Sequence, residues 1–216
     1  MCTLEEWERE LLQYVDVPAD PYSFCVELQP SLRAVCDGSV RTNKHSSFGW
    51  AIRDEAGNPS ATGMGPAPGC KPTSYRAKAY GMLSIMRFLI RIAKYTEMHQ
   101  FPWQGVLGTD SQSLLDTLSG KDKDPQAETD PINIHGAQVV LDVLCPDWDV
   151  LIAIQQSQKQ LPELKLQHVR GHQDRTTAYA RLDQMGQLNV DADARAGQFQ
   201  DEHGAYRSRV IPRQHI

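Results

Sequence analysis

The chain has 216 residues, of which 40% are hydrophobic and 23% are charged, and its formal net charge is −5 at pH 7. This length and composition are typical of a globular domain with its own core. The negative net charge is unfavourable for binding nucleic acid through overall electrostatic attraction, but it is compatible with an acidic cluster that binds divalent cations. The longest apolar stretch, residues 81–93, contains Arg87 and Arg91 and is shorter than the roughly 20 residues that span a bilayer, so no membrane segment is expected.

The cysteines and the N-terminus both indicate an intracellular protein, cytoplasmic or nuclear. The cysteines are scattered and form no Cys-x-x-Cys pair: Cys2, Cys25, Cys36, Cys70 and Cys145. This spacing supports neither a zinc site nor a disulfide framework, so we expect reduced thiols. The first residues lack a basic segment followed by an apolar one, which predicts no secretion signal.

Residues 1–30 are predicted to form an N-terminal extension with a short amphipathic helix. Trp7, Leu11 and Val15 recur at helical spacing. Pro18 follows and is expected to end the helix, because proline removes a backbone donor.

The main domain, residues 31–203, is predicted to open with three strands. Strand candidates run over residues 32–36, 48–53 and 60–64, and residues 54–58 have the composition of a turn between the second and third. Consecutive strands joined by short turns pair antiparallel, so we expect a meander.

A long helix over residues 74–96 follows, with apolar residues at helical spacing. The short apolar run at residues 105–109 predicts a fourth strand. A helix then places Leu114 and Leu118 on one face, and the polar residues 119–130 are predicted to be a loop.

The C-terminal part is predicted to contain helices over residues 137–144 and 147–160, a strand over 164–169, a final helix over 180–199 and a tail over 204–216. Three strands followed by alternating helices and strands indicate an α/β fold with a mixed sheet.

Three aspartates lie at informative places in this arrangement. Asp37 ends the first strand, Asp110 ends a later strand just before a helix, and Asp193 lies inside the final helix. Sites in open α/β sheets gather beyond the carboxyl ends of the strands, and three converging carboxylates would suit Mg²⁺ or Mn²⁺. Each aspartate taken singly is also explained as a turn residue or a helix cap.

The sequence segments around these aspartates match a known family in their order and spacing. The matching segments are residues 34–39, 48–52, 108–113, 168–174 and 189–196. Over about residues 31–200 the chain resembles ribonucleases H, and most of all the ribonuclease H domains of retroelement reverse transcriptases.

This resemblance implies a ribonuclease H-like fold: a mixed five-stranded sheet, three strands antiparallel and two parallel, flanked by helices. It implies an endoribonuclease that hydrolyses the RNA strand of RNA–DNA hybrids with two Mg²⁺ or Mn²⁺ ions. It also raises a reverse transcriptase domain in a parent polyprotein as a partner.

The resemblance implies roles for four residues. Asp37 would contact both ions, Asp110 and Asp193 would each hold one, and His172 would assist proton transfer or product release. Asp191 is a rival to Asp193, but it is out of register with the family motif and is expected to face solvent.

Substrate contacts follow from the same resemblance. Ser39, Asn43 and Gln112 stand where the family uses polar side chains to recognise 2′-hydroxyl groups. Each of them is equally well explained by a hydrogen bond to local backbone. Candidate phosphate contacts are the basic residues Arg41, Lys44 and Arg170.

Lys78 departs from the family pattern, which has a glutamate metal ligand at this position on the first long helix. A protonated lysine has no lone pair to offer a metal and repels it. Three consequences are open: a site with strongly reduced activity, an ammonium that stands in for one metal, or a lysine that swings away from a weakened two-metal site. The first is favoured.

Two other function classes compete with the hydrolase. One is a catalytically inactive nucleic-acid-binding domain of the same fold, which Lys78 favours. The other is an integrase, transposase or exonuclease of the same superfamily. The loop at residues 171–174 and the helix that carries Asp193 argue against this last class.

Overall fold

The computed structural model describes residues 4–27, 31–41, 45–69, 71–97, 103–120 and 146–203. The strands are β1 (Tyr14–Asp16), β2 (Leu32–Val40), β3 (Ser46–Arg53), β4 (Pro59–Pro66), β5 (Gly105–Thr109) and β6 (Leu164–His168). The α-helices are α1 (Glu6–Leu12), α2 (Pro21–Glu27), α3 (Ser74–Tyr95), α4 (Gln112–Ser119), α5 (Trp148–Gln158) and α6 (Gln184–His203). Several predictions concern residues outside the described ranges: the helix over 137–144, the tail over 204–216, Asn43, Lys44, Cys2, Cys70 and Cys145.

One mixed sheet organises the fold. Its strand order is β1-β4-β3-β2-β5-β6. The first four strands in this order pair antiparallel, and β2, β5 and β6 pair parallel. The predicted α/β class with a mixed sheet is therefore confirmed. Among the described helices, none has both the length and the apolar character that a membrane crossing requires.

The prediction of five strands is wrong by one, because the N-terminal extension contributes β1. This strand pairs with β4 over three residues, from Tyr14 opposite Met64 to Asp16 opposite Thr62. Three residues are too few to show an alternating pattern, so sequence periodicity could not reveal β1. Its effect is to cover the edge of β4 that would otherwise expose unpaired backbone groups.

The extension also belongs to the central core. Trp7, Leu11 and Phe24 are buried in the same hydrophobic cluster as α3 and the sheet. The backbone carbonyl of Leu11 accepts a hydrogen bond of 3.2 Å from the hydroxyl of Ser84, which in turn accepts one of 2.9 Å from the Trp50 indole. Burial of each large side chain contributes about 1.5–3 kcal/mol, so the first two helices help to stabilise the whole sheet.

Helix α6 packs against β3 and approaches its backbone closely at Gly49. A Cβ atom added at Gly49 would lie 2.2 Å from the carbonyl oxygen of Ala192 and 2.4 Å from the backbone nitrogen of Ala196. Only glycine allows the two backbones to approach this closely.

We predict that Gly49→Ala lowers the free energy of unfolding by about 2 kcal/mol or more, because the added methyl group must push α6 away from the sheet. Gly197→Ala is the matched control. Gly197 lies on the same helix with nothing within 4 Å of its added Cβ, and replacing it should raise stability by roughly 0.5–1 kcal/mol. Urea denaturation measures both, and equal stabilities of the two variants would contradict the prediction.

A buried ion cluster joins α3 to α5. Arg76 of α3 donates to Asp147 at 2.9 Å and to Asp149 at 2.7 and 2.8 Å. The Arg76 and Asp149 side chains are 6% and 14% exposed. Burial alone would raise the pKa of Asp149, but the hydrogen bonds and charge of Arg76 outweigh it and lower that pKa below the ordinary value of 3.8.

We predict that Asp149→Asn lowers the free energy of unfolding by about 2 kcal/mol at pH 7, because it removes charge-assisted hydrogen bonds to a buried guanidinium. The lowered folded-state pKa means that this contribution is present above the unfolded pKa and is lost as the pH falls through the folded one. The difference between wild type and variant should therefore shrink below about pH 4. Asp201→Asn, which breaks an exposed pair with Arg41, should stay close to wild type throughout. A difference that is constant from pH 7 to pH 2 would contradict this account.

Candidate active site

Asp37 and Asp110 lie side by side because β2 and β5 are parallel neighbours. Cys36 is opposite Thr109 in the register, and each aspartate is the next residue along its chain. The sequence had indicated that Asp37 ends the first strand, and this is wrong. Asp37 lies inside β2, because β2 continues to Val40 in its pairing with β3. The pairing with β5 does end at this level, so the two carboxylates share one end of the parallel strands.

Lys78 reaches this acidic pair from α3. Its ammonium nitrogen lies 3.1 Å from Oδ1 of Asp37 and donates a hydrogen bond to Oδ1 of Asp110. The three side chains are largely buried, with 12% of Lys78, 3% of Asp37 and 9% of Asp110 exposed. The helix can come this close because Gly38 has no side chain: an added Cβ would lie 2.6 Å from the Lys78 backbone nitrogen.

Burial dominates the electrostatics of the acidic pair. Burial raises the pKa of Asp37 to about 6, although the Lys78 ammonium and a 2.6 Å hydrogen bond from the Gly38 N–H oppose this rise. Burial would lower the pKa of Lys78, but the charges and hydrogen bonds of Asp37 and Asp110 outweigh it, and the net shift is upward. Lys78 is therefore cationic at neutral pH and acts as the counter-ion of the two carboxylates.

This arrangement does not fit a divalent cation between the two aspartates. A bridging Mg²⁺ would need the same carboxylate oxygens at about 2.0–2.1 Å, and the Lys78 ammonium already occupies the space between them. Within the described ranges, no group of three or more His, Cys, Asp or Glu side chains is placed to hold a metal ion. Binding of Mg²⁺ or Mn²⁺ therefore stays a prediction.

The two aspartates of α6 differ from the expected pattern. Asp193 is exposed, and the structure does not gather it with Asp37 and Asp110 into a metal-binding group. Asp191 was expected to face solvent, and its side chain is 33% exposed. It accepts hydrogen bonds from Arg53 at 2.7 Å and from the Tyr179 hydroxyl at 3.0 Å, because α6 crosses the end of β3 here.

His172 is exposed on the loop between β6 and α6, with a positive φ of 51°. The neighbouring Gly171 lies directly over Asp110: an added Cβ would be 2.6 Å from its Oδ2. The structure thus brings residues 171–174, which we call the histidine loop, close to the acidic pair. Its catalytic role stays a prediction.

The candidate substrate contacts have different surroundings. Ser39 is half-buried, and its backbone carbonyl accepts a 2.9 Å hydrogen bond from Gln200. Gln112 is exposed and donates at 2.8 Å to Asp116 one turn along α4, which is a local contact.

Among the basic candidates, Arg41 pairs with Asp201 at 2.5 Å, whereas Arg170 is exposed. Sequence reasoning singled out Arg170 but missed the exposed Arg175 and Arg181 on the same loop. The signal that could have found them was the density of arginine, three within residues 170–181.

The chain is similar in fold to solved ribonuclease H structures. Ribonuclease H1 from the halophilic archaeon Halobacterium salinarum NRC-1 is 18% identical, and the match covers 80% of this chain and 98% of that chain with a TM-score of 0.49. LC11-RNase H1, solved in complex with RNA/DNA hybrid, is 15% identical, with coverages of 77% and 94% and a TM-score of 0.49. The protease–reverse transcriptase of prototype foamy virus is 15% identical, and the match covers 84% of this chain and 21% of that chain with a TM-score of 0.43. No protein-family model and no curated protein matches the chain.

We predict that Lys78→Met lowers the free energy of unfolding by about 3 kcal/mol at pH 8, because it leaves two buried carboxylates without a counter-ion. The loss should shrink toward pH 5, since protonation of Asp37, whose pKa is already about 6, removes one of the unpaired charges. Lys94→Met, at an exposed position of the same helix, is the control and should be neutral. Denaturant titrations at several pH values give the measurement, and a Lys78→Met protein as stable as the control at pH 8 would contradict the counter-ion role.

Proposed function

We propose that this chain is a ribonuclease H-like hydrolase of the RNA strand in RNA–DNA hybrids whose turnover is strongly reduced by Lys78. The observation that carries the proposal is the contact of one ammonium group with both Asp37 and Asp110. These two carboxylates are the groups that the resemblance assigns to Mg²⁺ or Mn²⁺. Lys78 already uses their facing oxygens, so a divalent ion must compete with an internal cation.

The substrate is inferred from the order of the family motifs along the sequence. The topology supports this order, because it brings Asp37, Asp110 and the histidine loop to one end of the sheet. His172 is exposed and follows Gly171, which lies over Asp110, and it remains the proposed residue for proton transfer or product release. Ser39, Asn43 and Gln112 remain the proposed contacts to 2′-hydroxyl groups, and Asp193 remains the proposed third carboxylate.

A second candidate function is a hybrid-binding domain without hydrolysis. The same ion pair favours it, because Lys78 lowers the net charge of the site from the −2 of two free carboxylates to −1 and so weakens the attraction for a divalent cation. Recognition of a nucleic-acid duplex uses phosphate and 2′-hydroxyl contacts and needs no free carboxylate. The two functions therefore differ in turnover and share their ligand.

We predict that Lys78→Glu raises the rate of Mn²⁺-dependent cleavage of the RNA strand in a hybrid on the order of 100-fold or more. The substitution removes an ammonium that repels a divalent cation by several kcal/mol and supplies an oxygen ligand in its place. The measurement is single-turnover cleavage of an end-labelled hybrid, with duplex RNA and duplex DNA as substrates that should stay intact. A wild-type rate that Lys78→Glu does not improve would contradict the proposal.

Lys78→Gln is the control that removes the cation without supplying a carboxylate, and we expect it to remain slow. Thermal unfolding with and without Mn²⁺ gives a second readout. Lys78→Glu should gain Tm with Mn²⁺, whereas the wild-type chain should not, because a ligand stabilises only a protein that binds it. Tight hybrid binding by all three proteins, with no cleavage by any of them, would establish the second function instead.

A further inference from the structure

The loop between β6 and α6 carries three exposed arginines. Arg170, Arg175 and Arg181 occur within residues 170–181, which we call the arginine loop. Asp174 is the one acidic residue in this segment, so the loop has a net charge of +2, with histidine counted as neutral, within a chain of net charge −5. The loop therefore carries an exposed positive charge on a chain that is negative as a whole.

The three loop arginines have their charge available for a ligand. No ion pair involves them among the residues that the structure describes. Other arginines are held by acidic partners: Arg53 by Asp191 and Arg91 by Glu8. A guanidinium group without an acidic partner offers five N–H donors in a planar fork that matches phosphate oxygens.

The backbone of the arginine loop is fixed at both ends. At its start, the Val169 N–H donates to the Thr109 carbonyl at 2.9 Å. Toward its end, the Tyr179 hydroxyl accepts from Arg53 at 2.7 Å and donates to Asp191 at 3.0 Å. Two short 3₁₀ turns end at Arg175 and Arg181 and order the backbone between these anchors. An ordered backbone lowers the entropy cost of presenting several side chains to one ligand.

The sheet register gives the distance between the two anchors. Thr109 lies level with Cys36 of β2, and Arg53 lies level with Arg33, three residues further down the same strand. Two strand spacings separate β5 from β3, so the backbones of Thr109 and Arg53, the sheet residues that hold the two ends of the loop, are roughly 14 Å apart.

We propose that the arginine loop binds the phosphate backbone of one strand of a nucleic-acid duplex. This inference rests on the proposed function for the identity of that duplex, an RNA–DNA hybrid. The loop begins over Asp110, where the two carboxylates and one ammonium leave a net charge of −1 that repels phosphate. The arginines offset this repulsion and place the strand beside the acidic pair.

The test is the salt dependence of hybrid binding, measured by fluorescence anisotropy with a labelled RNA–DNA hybrid. Replacing all three arginines with glutamine (R170Q/R175Q/R181Q) should weaken binding roughly 10- to 100-fold at about 0.1 M salt and reduce the slope of log K against log salt by about 2–3, since each phosphate contact contributes roughly 0.9. The side chains are exposed, so circular dichroism and Tm should match wild type. The charge-conserving variant R170K/R175K/R181K should keep most of the slope.

The matched control removes the same charge at the opposite end of the molecule. Arg9, Lys94 and Lys159 are exposed. Helices α3 and α5 both start beside the Arg76–Asp149 contact and carry Lys94 and Lys159 at their far ends. We expect R9Q/K94Q/K159Q to bind hybrid with the wild-type slope.

Three results would overturn the proposal. The first is equal affinity and slope for the loop variant and wild type. The second is an equal loss in the loop variant and the far-end control, which would show an effect of net charge alone. The third is a loop variant that binds hybrid as wild type does but no longer binds an acidic polypeptide, such as polyglutamate, that wild type binds. This result would assign the loop to a protein partner. None of these results bears on cleavage by Lys78→Glu, so the loop and the hydrolase can fail separately.

Discussion

The end of the sheet where β2 and β5 lie side by side depends on one ammonium group between two carboxylates. Asp37 and Asp110 are buried and adjacent, and two like charges at such a distance in a protein interior destabilise the folded state. Folded proteins neutralise such a pair with a proton, a metal ion or a basic side chain. Here Lys78 supplies the charge, and Gly38 provides the room that lets its helix approach the strand.

Helix α3 also contacts α5 and α1 through ion pairs between its basic side chains and acidic residues of those elements. Near its start, Arg76 holds α5 through two aspartates, Lys78 holds the ends of β2 and β5, and near its far end Arg91 holds α1 through Glu8. Each of these cations is partly or largely buried beside its partner, so removing any one leaves a carboxylate uncompensated. The apolar side chains of α3 belong to the hydrophobic core. The basic side chains of the helix form the ion pairs with the neighbouring elements.

The sequence predicted those features that follow from periodicity or from rules for parallel strands. The span of α3 followed from apolar residues at helical spacing, and the proximity of Asp37 and Asp110 followed from their positions after neighbouring parallel strands. Features that depend on tertiary distance were out of reach. The pairing of β1 involves three residues, the hydrogen bond between Asp191 and Arg53 depends on where α6 crosses β3, and the contact of Gly171 with Asp110 depends on the path of a loop. Lys78 was recognised as a charge reversal, but its spacing along the chain could not show that it bridges both aspartates.

The proposed hydrolysis and the proposed phosphate binding would draw on different charged groups in this structure. Hydrolysis of the proposed kind would require carboxylate oxygens that are free to hold cations, whereas those of Asp37 and Asp110 contact Lys78. Binding requires cations that are free to meet phosphates, and the arginine loop offers three at the surface. Because the ammonium compensates the charge of the buried acids, it would oppose the binding of a metal ion while stabilising the fold as such an ion would. A glutamate at position 78 would reverse both effects: it would add a third buried acid, and the end of the sheet would then depend on bound cations for its stability.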